Sequence, residues 1–170
     1  MSKVLRLFCK DSRGFMLLAL LLFIPLFWLL IGLTLDGTNA RYVATSTKTA
    51  LNRAVKAAVL PLDEEQLAQG ITRLDPNRAR NNFYEVLCNN LKLNQDLTPT
   101  ELSIILKPPE ILDFYICQGP SFPKTYNSVL GITHTFLDPG VLVVVKVSHK
   151  YIFTGREQDI YAYSVAEVKD

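Results

Sequence analysis

The chain has 170 residues, with 18 Lys and Arg against 16 Asp and Glu and a formal net charge of +2. That balance gives no support to a nucleic-acid partner. The sequence carries no low-complexity tract and no internal repeat, and its C-terminal part has room for one small domain.

The positive charge is unevenly placed. Residues 1–14 hold Lys3, Arg6, Lys10 and Arg13 against Asp11, a net of +3, and the remainder is near neutral at −1. Phe15 to Leu35 follows as 21 residues without a charge, about the ~20 apolar residues a helix needs to span a bilayer core. Short basic flanks stay in the cytoplasm, which predicts an N-terminus inside and a C-terminal part outside. A secretory signal would have a shorter apolar core, roughly 7–15 residues, and a small-x-small site, and LDGTNARY is a poor one. Cys9 precedes the apolar run, so it is no lipoprotein site. Pro25 predicts a kink in mid-span. Gly32 and Thr34 leave two readings open, local bending or a surface for close helix packing on partner subunits.

Beyond Leu35 the sequence is rich in Ala and free of Pro until Pro61. On a wheel of ~100° per residue, Val43, Ala44, Ala50, Leu51, Ala54 and Ala58 fall within an arc of about 120°, opposite Arg41, Lys48, Arg53 and Lys56. Residues 15–60 therefore predict one rod of roughly 65–70 Å. The face of small residues in its outer half, 36–60, suits packing on another helix or on the protein's own sheet.

The order of these features resembles a family. Gly14 stands between Arg13 and a Phe-led apolar run, as in type IV prepilins, which are cut between a Gly and the run. Leu35-Asp36-Gly37, Arg41-Tyr42 and Leu51 to Ala58 are similar to the start of TadE/TadG-like proteins of tight-adherence (Tad/Flp) pilus systems. The resemblance covers about residues 13–60. It departs at Lys56, where the family often has Asp, and at Ala19, where prepilins commonly carry Glu. It implies a pilin-like, minor or accessory subunit with a leader cut between Gly14 and Phe15 by a prepilin peptidase, and with sister subunits or pilus machinery as partners. A seam of Ala50, Ala54 and Ala58 would then serve assembly.

Residues 61–170 predict an extracytoplasmic α+β domain. Asp63 to Gln69, closed by Gly70, reads as a short helix. Asp75-Pro76 opens a second one that runs to about Leu91, with Ala79, Phe83, Leu87 and Leu91 on one face. Glu101 to Leu106 and Ile111 to Cys117 read as strands, and Pro120 and Pro123 mark a loop. Ile132 to Phe136, Val141 to Phe153 and Ile160 to Val168 read as an antiparallel meander turned first at Leu137 to Gly140. In the middle strand Val141, Val143, Val145 and Val147 point one way.

Cys88 and Cys117 either form a disulfide, closing a loop of about thirty residues for roughly 3–4 kcal/mol, or remain two buried thiols. His134 and His149 sit on strands that could be neighbours, but no ligand cluster of metal-site spacing accompanies them. Asp63-Glu64-Glu65 suits a helix start better than acid–base chemistry. There is no glycine-rich phosphate loop and no G-x-S-x-G elbow. No catalytic set, cofactor or metal is therefore expected. The aromatics Phe114, Tyr115, Phe122, Tyr126, Tyr151, Phe153, Tyr161 and Tyr163 either fill a small core or line a groove. The second arrangement would suit a single-pass protein with a ligand-binding or sensing domain.

Overall fold

A computed structural model describes residues 12–68, 73–119 and 121–168. The basic tail up to residue 11, with Cys9, and the expected markers Gly70 and Pro120 lie outside the described residues. The fold is α+β. One helix, α1, runs unbroken from Ser12 to Ala58 with Pro25 inside it. At 1.5 Å per residue its 47 residues span about 70 Å. A four-residue turn of helix, α2 (Glu64–Leu67), and a longer helix, α3 (Pro76–Leu91), follow.

The start of α3 is set by its sequence. Asp75 accepts the backbone N–H of Asn77 at 2.9 Å and of Arg78 at 3.1 Å, and Pro76 fills the first turn, where a missing N–H costs nothing. Lys92 ends the helix in the left-handed region at φ 56°, and the N–H of Leu93 returns to the Cys88 carbonyl. Ala79, Phe83, Leu87 and Leu91 are all buried on one face.

Three strands form the main sheet in the order β1 (Glu110–Cys117), β4 (Gly140–Lys150), β5 (Glu157–Glu167), all antiparallel. A separate two-stranded ribbon pairs β2 (Lys124–Asn127) with β3 (Thr133–Phe136). The expected meander is therefore corrected in one respect. The strand ending at Phe136 does not lie beside β4; β1 takes that place, and β3 pairs with a short strand inside the segment expected to be a loop. A strand of four residues directly after Pro123 is too short to show an alternation, so β2 leaves no signal of its own.

Glu101 to Leu106 is a second correction, since it forms turns and not a strand. The hydroxyls of Thr100 and Ser103 bond back to the carbonyls of Lys92 and Leu91. These side-chain bonds, reaching back 8 and 12 residues, tie the segment to the end of α3 instead of to a strand partner.

The main core lies on one face of the sheet. There Val141, Val143, Val145 and Val147 of β4 meet Val43, Ala50, Leu51, Ala54, Val55 and Ala58 of α1 and the buried face of α3. Phe83 of α3 meets Phe114 of β1 edge to face, with ring centres 5.1 Å apart. The other face of β4 is covered only along its first half. Leu142 and Val144 join Cys117 and Phe136 in a second cluster, capped by the ribbon through Phe122, Tyr126 and Ile132. Gly140 is needed where the layers meet, because a Cβ there would lie 2.5 Å from the Ala166 carbonyl oxygen.

Candidate functional site

The rod is divided in two by what touches it. Its inner half is almost bare. Met16, Leu21, Phe23, Trp28 and Leu35 are 68, 76, 66, 63 and 53% exposed, and only 6% of the most apolar stretch is buried. Among the described residues, this is a helix long and apolar enough to cross a membrane. Its polar side chains near the outer end are internally satisfied: Thr34 donates to the Leu30 carbonyl and Thr38 to the Thr34 carbonyl, each at 2.8 Å. A hydroxyl bonded to its own helix needs no water, which keeps that stretch compatible with lipid.

The outer half carries the domain. Val43, Ala50, Leu51, Ala54 and Ala58, the residues of the small face, are 3% exposed or less. They lie against α3, β5 and β4 of the same chain. Small side chains let the backbones approach, and Leu51 and Val55 fill the remaining space, each burial contributing about 1.5–3 kcal/mol. This face is thus occupied within the chain and is not open to a sister subunit. On the other side Arg53 bonds the Asn90 side chain at 2.9 Å, and the Lys48 ammonium lies 4.9 Å from the centre of the Tyr163 ring.

Between the two halves lies a junction that the sequence did not announce. The turn of the β4–β5 hairpin reaches back along α1. Asp36, 4% exposed, accepts the backbone N–H of Phe153 at 2.7 Å and of Thr154 at 3.0 Å. One helical turn further on, Asn39 donates to the Lys150 carbonyl at 3.4 Å. One turn before it, the Phe153 ring lies on Gly32, where a Cβ would come within 2.4 Å of the ring. Gly32 and Thr34, one reading of which was a surface for partner helices, are thus used within the chain. The signal available in the sequence was a carboxylate and a glycine four residues apart at the end of the apolar run.

The far end of the domain is held by Glu167. One of its carboxylate oxygens lies 2.9 Å from His134 Nε2, and the other accepts the N–H of Leu137 at 2.9 Å and of Asp138 at 3.0 Å. Burial acts to raise the Glu167 pKa, but the bonds from His134 and the two amides outweigh it and leave the carboxyl below its ordinary value. These bonds fix the Leu137 to Gly140 turn that leads from the ribbon into β4.

The other singled-out residues do not converge. Cys88 and Cys117 are free thiols, which corrects the disulfide alternative. Cys88 belongs to the core beneath the helices, whereas Cys117 belongs to the cluster on the opposite face of the sheet. Strand alternation decides this: Phe114 and Ile116 point to the helices, and Tyr115 and Cys117 point away. Burial raises both thiol pKa values. His134 and His149 are not neighbours either, as one is in the ribbon and the other in the main sheet. His149 is 1% exposed and stands edge-on to Tyr151, with neither ring nitrogen hydrogen-bonded to the protein. Tyr115 and Tyr126 stack on each other at 3.7 Å instead of framing a groove, and the Tyr126 hydroxyl bonds Asp113. Among the described residues, no group of three or more His, Cys, Asp or Glu gathers as metal ligands would.

Gly14 and Phe15, the expected cleavage pair, fall in the first turn of α1. Compared with known proteins, the chain matches no family model, no curated protein and no solved structure.

Proposed function

We propose that this protein is a membrane-anchored, pilin-like subunit, minor or accessory in role, of a Tad-type pilus or related secretion system. In this reading the N-terminus is cytoplasmic and the domain extracytoplasmic. The work is done by packing and not by a reaction. The observation that carries it is the division of α1: an inner half left almost uncovered and an outer half buried against its own domain. A rod of this kind has one apolar surface left to bury, and lipid before assembly or neighbouring helices after it would cover that surface. The order of Gly14, Phe15, Asp36-Gly37 and Arg41-Tyr42 supports the Tad assignment through its resemblance to that family.

The test is made in the cells that produce the protein, with their prepilin peptidase present. A photo-crosslinking residue replaces Leu21, which is 76% exposed. Adducts to copies of this chain or to other single-helix pilin-like subunits are expected. The intact mass is expected to show a chain beginning at Phe15. A chain that begins at Met1 and crosslinks only to lipid would discard the subunit reading and favour a permanently anchored ligand-binding or sensing protein.

A further inference from the structure

We propose that the tip of the β4–β5 hairpin is a second membrane contact. In it Ile152 and Phe153 enter the lipid interface from which α1 emerges, and Lys150 and Arg156 lie at the headgroups. The inference rests on the membrane-spanning part of the reading above and not on pilus assembly.

Position along the rod is the first argument. The Phe153 ring lies on Gly32, and Gly32 is inside the apolar run, three residues before its end at Leu35. At 1.5 Å per residue the ring therefore sits about 4–5 Å below the edge of the span. Interfacial anchors bury their apolar faces to about 5–10 Å. A span deep enough to hold Leu33 and Leu35 in lipid carries Phe153 with it, because the two are in contact through the same helix.

Chemistry and order supply the rest. Ile152 is 71% and Phe153 53% exposed, at the end of a hairpin whose following residues, Arg156 to Asp159, are polar and exposed. This exposure does not come from a loose loop. Within the turn the Tyr151 N–H donates to the Arg156 carbonyl at 2.8 Å and the Gly155 N–H to the Tyr151 carbonyl at 3.2 Å. Asp36 and Asn39 tie the same turn to α1. Phe153, held at the height of Gly32 beside Leu29, Leu30 and Leu33, themselves 48–54% exposed, continues the lipid-facing surface, and Ile152 precedes it in the same turn. Lys150 and Arg156 flank the pair in sequence and are both exposed, which suits residues facing anionic headgroups. A domain so seated cannot swing freely on its rod.

The test uses depth-dependent fluorescence quenching. The full chain is reconstituted in vesicles of phosphatidylcholine and phosphatidylglycerol whose acyl chains are brominated near the glycerol or near the methyl end. Trp28 is the one tryptophan of the chain. The wild type therefore reports the span, and Phe153→Trp, Ile152→Trp and Leu137→Trp, each in a Trp28→Phe background, report the tip and the far end. Leu137 lies near Lys56 and Leu60, well over 30 Å up the rod from Gly32. The expected result is loss of Trp28 emission with both lipids, loss of tip emission with the glycerol-end bromines, and no loss at position 137. Trp28 quenched while both tip variants behave like Leu137→Trp would overturn the second contact and leave the span standing. A blue-shifted tip emission without quenching would place protein there instead, and would overturn it equally. An unquenched Trp28 would remove the span and the inference together.

Discussion

The Asp36 carboxylate and the Phe153 backbone N–H meet at 2.7 Å across 117 positions of sequence. This bond, with that from Thr154, joins the residue that follows the apolar run to the tip of the longest hairpin. Replacing Asp36 by Ala leaves two amides without their acceptor. Hydrogen exchange at Phe153 and Thr154 is expected to rise markedly, with that of Val143 and Val145 unchanged. Asp36→Asn keeps one acceptor oxygen and should give a smaller rise. Unaltered protection in Asp36→Ala would show that the tip is held by the Gly32 contact instead.

Gly32 and Phe153 form a steric pair. A methyl group at Gly32 would lie 2.4 Å from the ring, so Gly32→Ala must displace it. Exchange at the tip is expected to increase as it does in Asp36→Ala. Adding Phe153→Ala removes the clash, and the double variant should lie closer to Phe153→Ala than to the sum of the two single changes. Strict additivity would refute the contact.

The small face of α1 makes a prediction about stability. Ala54 is 0% exposed, and Ala54→Glu would bury a charge without a partner. Unfolding or detachment of the domain from the rod is expected, visible as loss of the cooperative thermal transition in detergent. Leu51→Ala, also at 0% exposure, should cost about 2–5 kcal/mol. Failed assembly of an Ala50, Ala54 or Ala58 variant would therefore report a lost fold before it reported a lost intersubunit seam.

Glu167 links stability to pH. Its pKa is lowered in the folded protein, so the unfolded chain binds its proton more tightly. The contribution is complete above the unfolded value, near 4.5, and disappears as pH falls through the lower folded value. A melting series is expected to lose stability below about pH 4.5 more steeply in the wild type than in Glu167→Gln. At neutral pH, Glu167→Ala should cost about 2 kcal/mol, since a charged acceptor of three bonds is removed.

Cys88 and Cys117 test the sheet's two faces. With Cys88 and Cys117 buried and their pKa values raised, neither should react with an alkylating agent at neutral pH until the chain unfolds, and then both should. Unreduced, unfolded protein that fails to take up label at these two positions would mean they had been bonded after all.

Much of the architecture could be read from local patterns. An uncharged run of 21 residues, an Ala-rich amphipathic stretch ended at Pro61, an Asp-Pro helix start and a Val-alternating strand each specify their element from neighbouring residues. Elements that local patterns do not specify depend on partners distant in sequence. The segment Glu101 to Leu106 has strand-like residues, but Thr100 and Ser103 bond to the end of α3 and turn the chain. The place beside β4 goes to β1, although β3 is nearer in sequence. A bulge between Ile111 and Asp113 sets which β1 residues face the helices, and this separates Cys117 from Cys88.

The sequence by itself determined that the chain has an apolar span, a rod that continues beyond it and an α+β domain. These follow from hydrophobic period and from proline, signals carried within a few turns or strand repeats. Only the tertiary structure decided what covers the rod. Whether Ala54 meets a sister subunit or the protein's own α3 and sheet, and whether Asp36 and Gly32 face water or a hairpin tip, depends on chain closure over separations that reach 117 residues. The periodicity that makes a face apolar is the same for every partner, so no local pattern could choose between them.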